Sequence, residues 1–457
     1  MRLASGEALA RVVAFGLSIY LARTLGAAVY GTVALATAVL LYAGCVADCG
    51  LEMLGVRDVA AEPGQVPRIV PTLTLTRLLV AVAGIVLLVV FGLAFAPQPD
   101  GSVLAAYSLI LLALALNTKW VVLGLGKSGT VGLARTAGEA TAAIVAVLLV
   151  HDAGGVAWVP LAQLAGDSLA ALLLLRALSR EGLKLAVSWT SGVVRPVLRR
   201  SWPLVGHALL GLLIFNVDFF FLRAFRDTAT VGRYAVAYTL VSFFTNLGVM
   251  YGFSLLPAIT RLQDDPMGER ALYDESMARA FAVALPVAIG ASLLAHNVIE
   301  LAFGERYEPS ALALQILIWS VPIALFRNVA VGLLIARGRQ HDVFLTTVWA
   351  ATANLVLNAT LIPRYGMAGA AAATVATEAM RSVTALRYAG KLGLPLTPLR
   401  RFWRPLLAGA VLAGAVLAWP NAGLLIGVPL GALAYGISLL ALGGVQLVRG
   451  GLPRLSV

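Results

Sequence analysis

The chain has 457 residues, of which 60% are hydrophobic and only 12% charged, with a mean hydropathy of +0.90. Soluble domains carry about 25% charged residues, so this composition excludes a water-soluble fold. The net charge of +12 does not point to nucleic acid either, because the basic residues stand singly or in small groups between apolar segments without interleaved aromatics.

A helix crosses about 30 Å of hydrocarbon with about 20 apolar residues. On that measure about 14 crossings are predicted, at 4–22, 29–50, 72–96, 102–123, 131–150, 156–178, 201–223, 233–257, 279–300, 310–335, 341–362, 366–386, 402–419 and 423–446. The fold class is therefore all-α and integral to a membrane. Two six-helix lobes in a parallel pseudo-repeat are expected at 1–178 and 201–390, joined by a cytoplasmic connector at 179–200. Residues 391–457 hold two further helices and a short cytoplasmic tail.

The first crossing follows Arg2 and runs into "LARTLGAAVYG", which is no small-residue cleavage site, so it reads as a retained span. The second carries the only cysteines, Cys45 and Cys49. Their four-residue spacing places them on one helix face, a poor disulfide geometry without further metal ligands, so they read as packing residues.

After the fourth crossing comes "GLGKSG" (124–129), which has the spacing of a dinucleotide loop but follows a membrane helix rather than a strand. Val121 stands where a phosphate-binding loop needs its first glycine. The four histidines, His151, His207, His296 and His341, fall on different segments without metal-ligand spacing. The connector carries Trp189 and several basic residues and reads as an interfacial piece between the two halves.

Basic residues divide unevenly between alternate loops. With the N-terminus in the cytoplasm, roughly 25 fall on inner segments and 6 on outer ones, which the positive-inside rule reads as two cytoplasmic termini. The outer connections "PQPDGS", "HDAGG", "FGERYEPS", "PRYGMAG" and "PNAG" are short. A membrane glycosyltransferase needs a sizeable outer loop with paired carboxylates, and these offer none.

An internal repeat supports the two-lobe organisation. "LARTLGAAVYGTVALA" (21–36) aligns with "LRAFRDTATVGRYAVA" (222–237) at an offset of 201, setting Gly31 on Gly232. "GGVAWVPLAQLAGD" (154–167) aligns with "YGMAGAAAATVATE" (365–378) at an offset of 211, setting Gly155 on Gly366 and Asp167 on Glu378. Parallel repeats around a central cavity suit rocking between inward-open and outward-open states.

Four stretches carry a resemblance: 21–60 ("LARTLGAAVYG" to "LGVRDVA"), "NVDFFFLRAFRDTATVGRYAVAYTL" (216–240), 303–339 ("FGERYEPS" to "LLIARGR") and "ANLVLNATLIPRYGMAGAAAATVATE" (353–378). In this order they resemble the Wzx-type flippases, the polysaccharide-export branch of the multidrug/oligosaccharidyl-lipid/polysaccharide superfamily with its MATE-like fold. The resemblance implies a monomeric, non-enzymatic, multi-pass transporter of the bacterial cytoplasmic (inner) membrane. It would move an undecaprenyl-pyrophosphate-linked oligosaccharide to the outer leaflet for O-antigen, capsule or exopolysaccharide assembly, beside polymerase and chain-length proteins. Two departures stand out. The first span begins almost at Met1, and Asp218 is followed by Phe219 where many relatives carry a basic residue.

Moving a pyrophosphate through hydrocarbon requires neutralising its charge, and arginine supplies planar donors that stay ionised. Arg11, Arg327 and Arg381 lie inside predicted spans and are the head-group candidates. The structural alternative pairs Arg11 with Glu7 and Arg381 with Glu378, each one turn away, whereas Arg327 has no such neighbour.

The acids Glu139, Asp167, Asp218 and Glu378 lie at membrane depth. Of these, Asp218, Glu378 and Asp167 are the candidates for a coupling ion, Na⁺ or H⁺; interhelical salt bridges are the alternative. Asn216, Asn354 and Asn358 are candidate sugar contacts, and interhelix glue explains them equally well. Tyr234, Tyr238, Phe243 and Phe244 offer stacking or simple packing.

Competing readings are a drug or metabolite antiporter of the same superfamily, a lipid II flippase and a membrane glycosyltransferase. A major-facilitator transporter also has two parallel halves, but its Gly, Asp, Arg and basic cluster is missing from "GVRDVAAEPGQVPR".

Overall fold

A computed structural model describes residues 2–62, 64, 66–183, 191–262, 264–394, 401–419, 423–446 and 454–455. Trp189, Lys184 and Arg400 lie outside the described residues, as do Arg449 and most of the tail. The rest is almost wholly helical, apart from a two-residue antiparallel ladder of β1 (Val445–Gln446) and β2 (Arg454–Leu455).

In chain order the helices are α1 (Arg2–Ala47), α2 (Leu51–Ala61), α3 (Val66–Ala94), α4 (Asp100–Ser108), α5 (Ile110–Leu116), α6 (Lys119–Gly124), α7 (Ser128–Leu149), α8 (Trp158–Arg180), α9 (Ser191–Phe225) and α10 (Thr228–Arg261). They continue with α11 (Pro266–Leu293), α12 (Ala295–Phe303), α13 (Ser310–Leu317), α14 (Ser320–Ala336), α15 (Gln340–Lys391), α16 (Trp403–Ala418) and α17 (Gly423–Ala441).

Among the described residues, 11 segments are long and apolar enough to cross a membrane. Two of them are double. At 1.5 Å per residue, α1 with 46 residues and α15 with 52 would reach about 70 and 80 Å if straight, more than twice the hydrocarbon thickness. Each breaks at a glycine in a conformation that side chains disfavour, Gly26 (φ 76) and Gly366 (φ 55). Counting these segments twice and adding the 16-residue α16 recovers the 14 crossings expected, and the chain is a multi-pass membrane protein.

The breaks follow the repeat. Gly26 falls 201 residues before Asp227, where α9 gives way to α10, and Gly366 falls 211 residues after Gly155, in the turn that leads into α8. A hydrogen-bonded carboxylate starts α10: Asp227 Oδ1 accepts from the backbone N–H of Thr230 at 2.9 Å and from its hydroxyl at 2.5 Å.

Three predicted spans are interrupted. The span at 102–123 is divided among α4, α5 and α6; that at 310–335 between α13 and α14; that at 279–300 between α11 and α12. Apolar residues continue through each break, so hydropathy does not register the lost backbone bonds. The cysteines also differ from expectation. Cys49 sits in the turn after α1 with φ 55, so it shares no helix face with Cys45, and burial pushes its thiol up to about 11.

The described residues form two compact units, 1–235 and 236–457. In the first unit, Trp120 shares one hydrophobic cluster with Leu51, Val59, Val66, Val70, Leu174 and Leu178. In the second, α16 and α17 pack on α11 through Leu294, Ala408, Leu412, Val416, Tyr435 and Leu439. Pro286 has no N–H to offer the Ala282 carbonyl four residues earlier. The Tyr435 hydroxyl donates to that carbonyl instead, at 2.7 Å.

Candidate functional site

In the second unit, the predicted residues converge. Arg327 on α14 reaches across to α15, where its Nε donates to Glu378 Oε2 at 3.1 Å; Arg381 Nη1 donates to Glu378 Oε1 at 2.6 Å. All three are buried, at 9%, 1% and 8% exposure for Arg327, Glu378 and Arg381. The Arg381–Glu378 pairing is the one-turn pair weighed in the sequence. The Arg327 partner is supplied from 51 residues away and is invisible in local spacing. Two guanidiniums thus share one buried carboxylate.

At Thr377, the residue immediately before Glu378, begins an amide chain. Asn354 Nδ2 donates to Thr377 Oγ1 at 3.2 Å, and Asn358 Nδ2 donates to Asn354 Oδ1 at 2.9 Å. Both asparagines are fully buried, and the Asn354–Thr377 bond joins the two halves of α15 across the break at Gly366. Next to Arg327, Asn328 is 8% exposed and its Nδ2 has no hydrogen-bond partner.

In the first unit, Asp218 on α9 is fully buried and accepts from the Tyr234 hydroxyl at 2.6 Å. Phe219, standing where a basic residue was expected by resemblance, packs edge-on against the Tyr234 ring at 5.6 Å. Tyr234 is therefore committed to α9. Asn216 Nδ2 donates to the Leu212 carbonyl on its own helix at 3.1 Å.

Asp167 accepts from Gln163 Nε2 at 3.1 Å. Glu7 does not pair with Arg11: Arg135 takes it at 3.6 Å while also lying 3.9 Å from Glu139. Arg11 keeps a buried Nε with no hydrogen-bond partner. The alternative Arg11–Glu7 pair is thus replaced by an interhelical one, since Arg135 on α7 faces the same acid.

Other site features were not singled out from the sequence. Arg77 is buried inside α3, where it donates to the carbonyls of Leu114 and Asn117 at 2.8 Å each and pairs with Asp48 at 3.2 Å. Those carbonyls end α5, so Arg77 stabilises the break in the fourth crossing. Asp100, at the start of α4, accepts from Thr32 Oγ1 at 2.5 Å and Arg223 Nε at 2.9 Å, tying together α1, α4 and α9.

The repeat partners Gly31 and Gly232 meet directly. A Cβ on Gly31 would overlap the Thr228 carbonyl and stand 2.9 Å from the Gly232 nitrogen; one on Gly232 would overlap the Ala27 carbonyl and stand 3.0 Å from the Gly31 nitrogen. Ala27 and Thr228 are themselves related by the 201-residue offset, so the crossing has a local two-fold symmetry.

Residues 2–263 match the family described as "Polysaccharide biosynthesis protein". The chain belongs to this family. Within curated proteins it is similar to "Probable flippase AglR" of Haloferax volcanii, 27% identical over 238 residues, which is 50% of either chain. The match thus spans about half the length of that relative. Among solved structures, "Lipid II flippase MurJ, inward closed conformation" has a TM-score of 0.81 at 13% identity, covering 96% of this chain and 98% of that one. An inward-facing multidrug resistance MATE transporter of the MOP superfamily has a TM-score of 0.66 at 16% identity, covering 84% and 94%. At these identities the likeness shows the fold: this polysaccharide biosynthesis family member has the MurJ/MATE-like architecture.

Outside the spans, two charged groups have defined partners. Arg337, just after α14, donates to both carboxylate oxygens of Glu269, and this bond is the main cause that holds its guanidinium more firmly protonated than usual. The two hydrogen bonds from Thr230 hold the Asp227 carboxyl below the ordinary aspartate range.

Proposed function

We propose that this protein is a flippase for an undecaprenyl-pyrophosphate-linked oligosaccharide, moving it by alternating access from the cytoplasmic to the outer leaflet of a bacterial inner membrane. Membership of a polysaccharide biosynthesis family supports the class of cargo. The observation that carries the reading is the buried Arg327–Glu378–Arg381 cluster. A charge held at membrane depth is costly and marks function, and buried guanidiniums are the donors that complement a phosphorylated head group.

Both termini are assigned to the cytoplasm on the basic-residue asymmetry. In that orientation the Gly31–Gly232 crossing and the Asp100–Arg223 pair lie at the outer end. The cycle then begins with head-group capture from the inside, with the prenyl tail left in lipid through a lateral gap. A coupling cation, Na⁺ or H⁺, is assigned to Asp218, whose complete burial makes occupancy of the carboxylate consequential. The working unit is a monomer, acting beside polymerase and chain-length proteins and performing no bond chemistry itself.

Proteoliposomes carrying a fluorescent undecaprenyl-pyrophosphate oligosaccharide test this reading through protection of the sugar from externally added periodate. Flipping should require the folded protein and fall on the order of tenfold in Arg381→Gln. Export of a cationic drug without lipid flipping would instead identify an antiporter.

A further inference from the structure

The N-terminal turns of α9 are two-faced. Val194, Ser201 and Val205 are buried, and Val197 and Leu198 pack on the Trp120 core. On the opposite side Arg195, Arg199 and Trp202 follow one another at successive turns, all exposed, with Trp202 at 67%. Neighbouring Arg200 is used internally, donating to Asp58 at 3.2 Å. Arg195 and Arg199 have no ion-pair partner among the described residues, unlike Lys119, Lys127 and Arg200 of the same unit, which pair with Glu52, Glu181 and Asp58.

Length places this stripe at the membrane surface. The apolar segment Val194–Phe225 has 32 residues, a helix of about 48 Å against about 30 Å of hydrocarbon. Its far end is set by Arg223, held by Asp100. Counting about 20 residues back from Phe225 reaches the neighbourhood of Val205. Trp202 then sits at the hydrocarbon edge, where indoles concentrate. Arg199 and Arg195 follow one and two turns further out, within reach of lipid phosphates once their side chains bend back toward the bilayer.

We propose that the Arg195–Arg199–Trp202 stripe of α9 is a docking surface for anionic phospholipid headgroups of the leaflet that the N-terminus of α9 faces. Each exposed guanidinium takes a phosphate oxygen while the indole lies against the glycerol backbone and upper chains. Charge complementarity selects the occupant: two unpaired cations one turn apart favour a lipid with net negative charge over a zwitterionic one. The surface lies on a buttress of the first unit and is independent of the transported cargo.

The test uses the full chain in nanodiscs of equimolar phosphatidylcholine and phosphatidylglycerol, with the lipids retained after gentle extraction counted by native mass spectrometry. Wild type should retain phosphatidylglycerol in preference. Arg195→Gln/Arg199→Gln should lose that preference by on the order of tenfold, whereas Lys119→Gln/Lys127→Gln, which alters two cations already paired with Glu52 and Glu181, should keep it. Unchanged preference in the first variant, or an equal loss in the second, overturns the proposal. Should the first variant misfold, wild type alone decides the matter: the preference should weaken at high salt, as expected for exposed charges, and a salt-independent preference overturns it.

Discussion

Gly31 and Gly232 cross backbone to backbone, so that a side chain on Gly31 would overlap the Thr228 carbonyl and one on Gly232 the Ala27 carbonyl. The contact joins positions that the internal repeat had already paired in sequence. Such an approach leaves room for no side chain on either helix, the geometry that small residues permit between membrane helices.

Gly31→Val and Gly232→Val should therefore each lower the thermal unfolding midpoint in detergent, with a cost of about 1–3 kcal/mol or more from overpacking. Because both break one contact, the double variant should cost clearly less than the two added together. Gly211→Ala, at a helix position with open space around it, should be neutral or slightly stabilising. Strict additivity at 31 and 232 would show that the helices do not cross there.

The shared acid makes a ranked prediction. Glu378→Gln removes the carboxylate that Arg327 and Arg381 share and should cost about 3–5 kcal/mol. Arg381→Gln leaves Arg327 and Glu378 as a neutral pair and should cost less. Thermal melts of the two variants give the order, and the reverse order would rule out a carboxylate held in common.

Tyr435→Phe should cost about 1–2 kcal/mol by orphaning the Ala282 carbonyl. In a Pro286→Ala background the restored N–H can take that carbonyl within α11, so the same change should cost less. Equal costs in both backgrounds would mean that Tyr435 contributes only its ring.

The Asp227 carboxyl is held below its ordinary pKa by the Thr230 bonds, so its contribution to the start of α10 is present above the unfolded value of about 3.9. It is lost as pH falls through the lower native value. The stability difference between wild type and Asp227→Ala should thus be constant near neutrality and shrink only in acid, below about pH 3.9. A difference that instead changes between pH 6 and pH 8, far above any aspartate pKa, would place the effect elsewhere.

Hydropathy and length alone determined that this chain is a membrane bundle of 14 crossings, because a span must be apolar and about 20 residues long wherever it occurs. The repeat was legible for a similar reason: Gly31, Gly232, Gly155 and Gly366 mark backbone positions that tolerate little else. The Arg381–Glu378 pair was readable from its one-turn spacing. Only tertiary structure decided that Arg327 shares the same carboxylate, that Arg135 takes Glu7 from Arg11, and that Arg77 lies buried among the carbonyls at the end of α5. Those partners come from helices far apart in sequence, and a low-dielectric interior makes each buried charge find whichever opposite group the packing brings near, which no local pattern records.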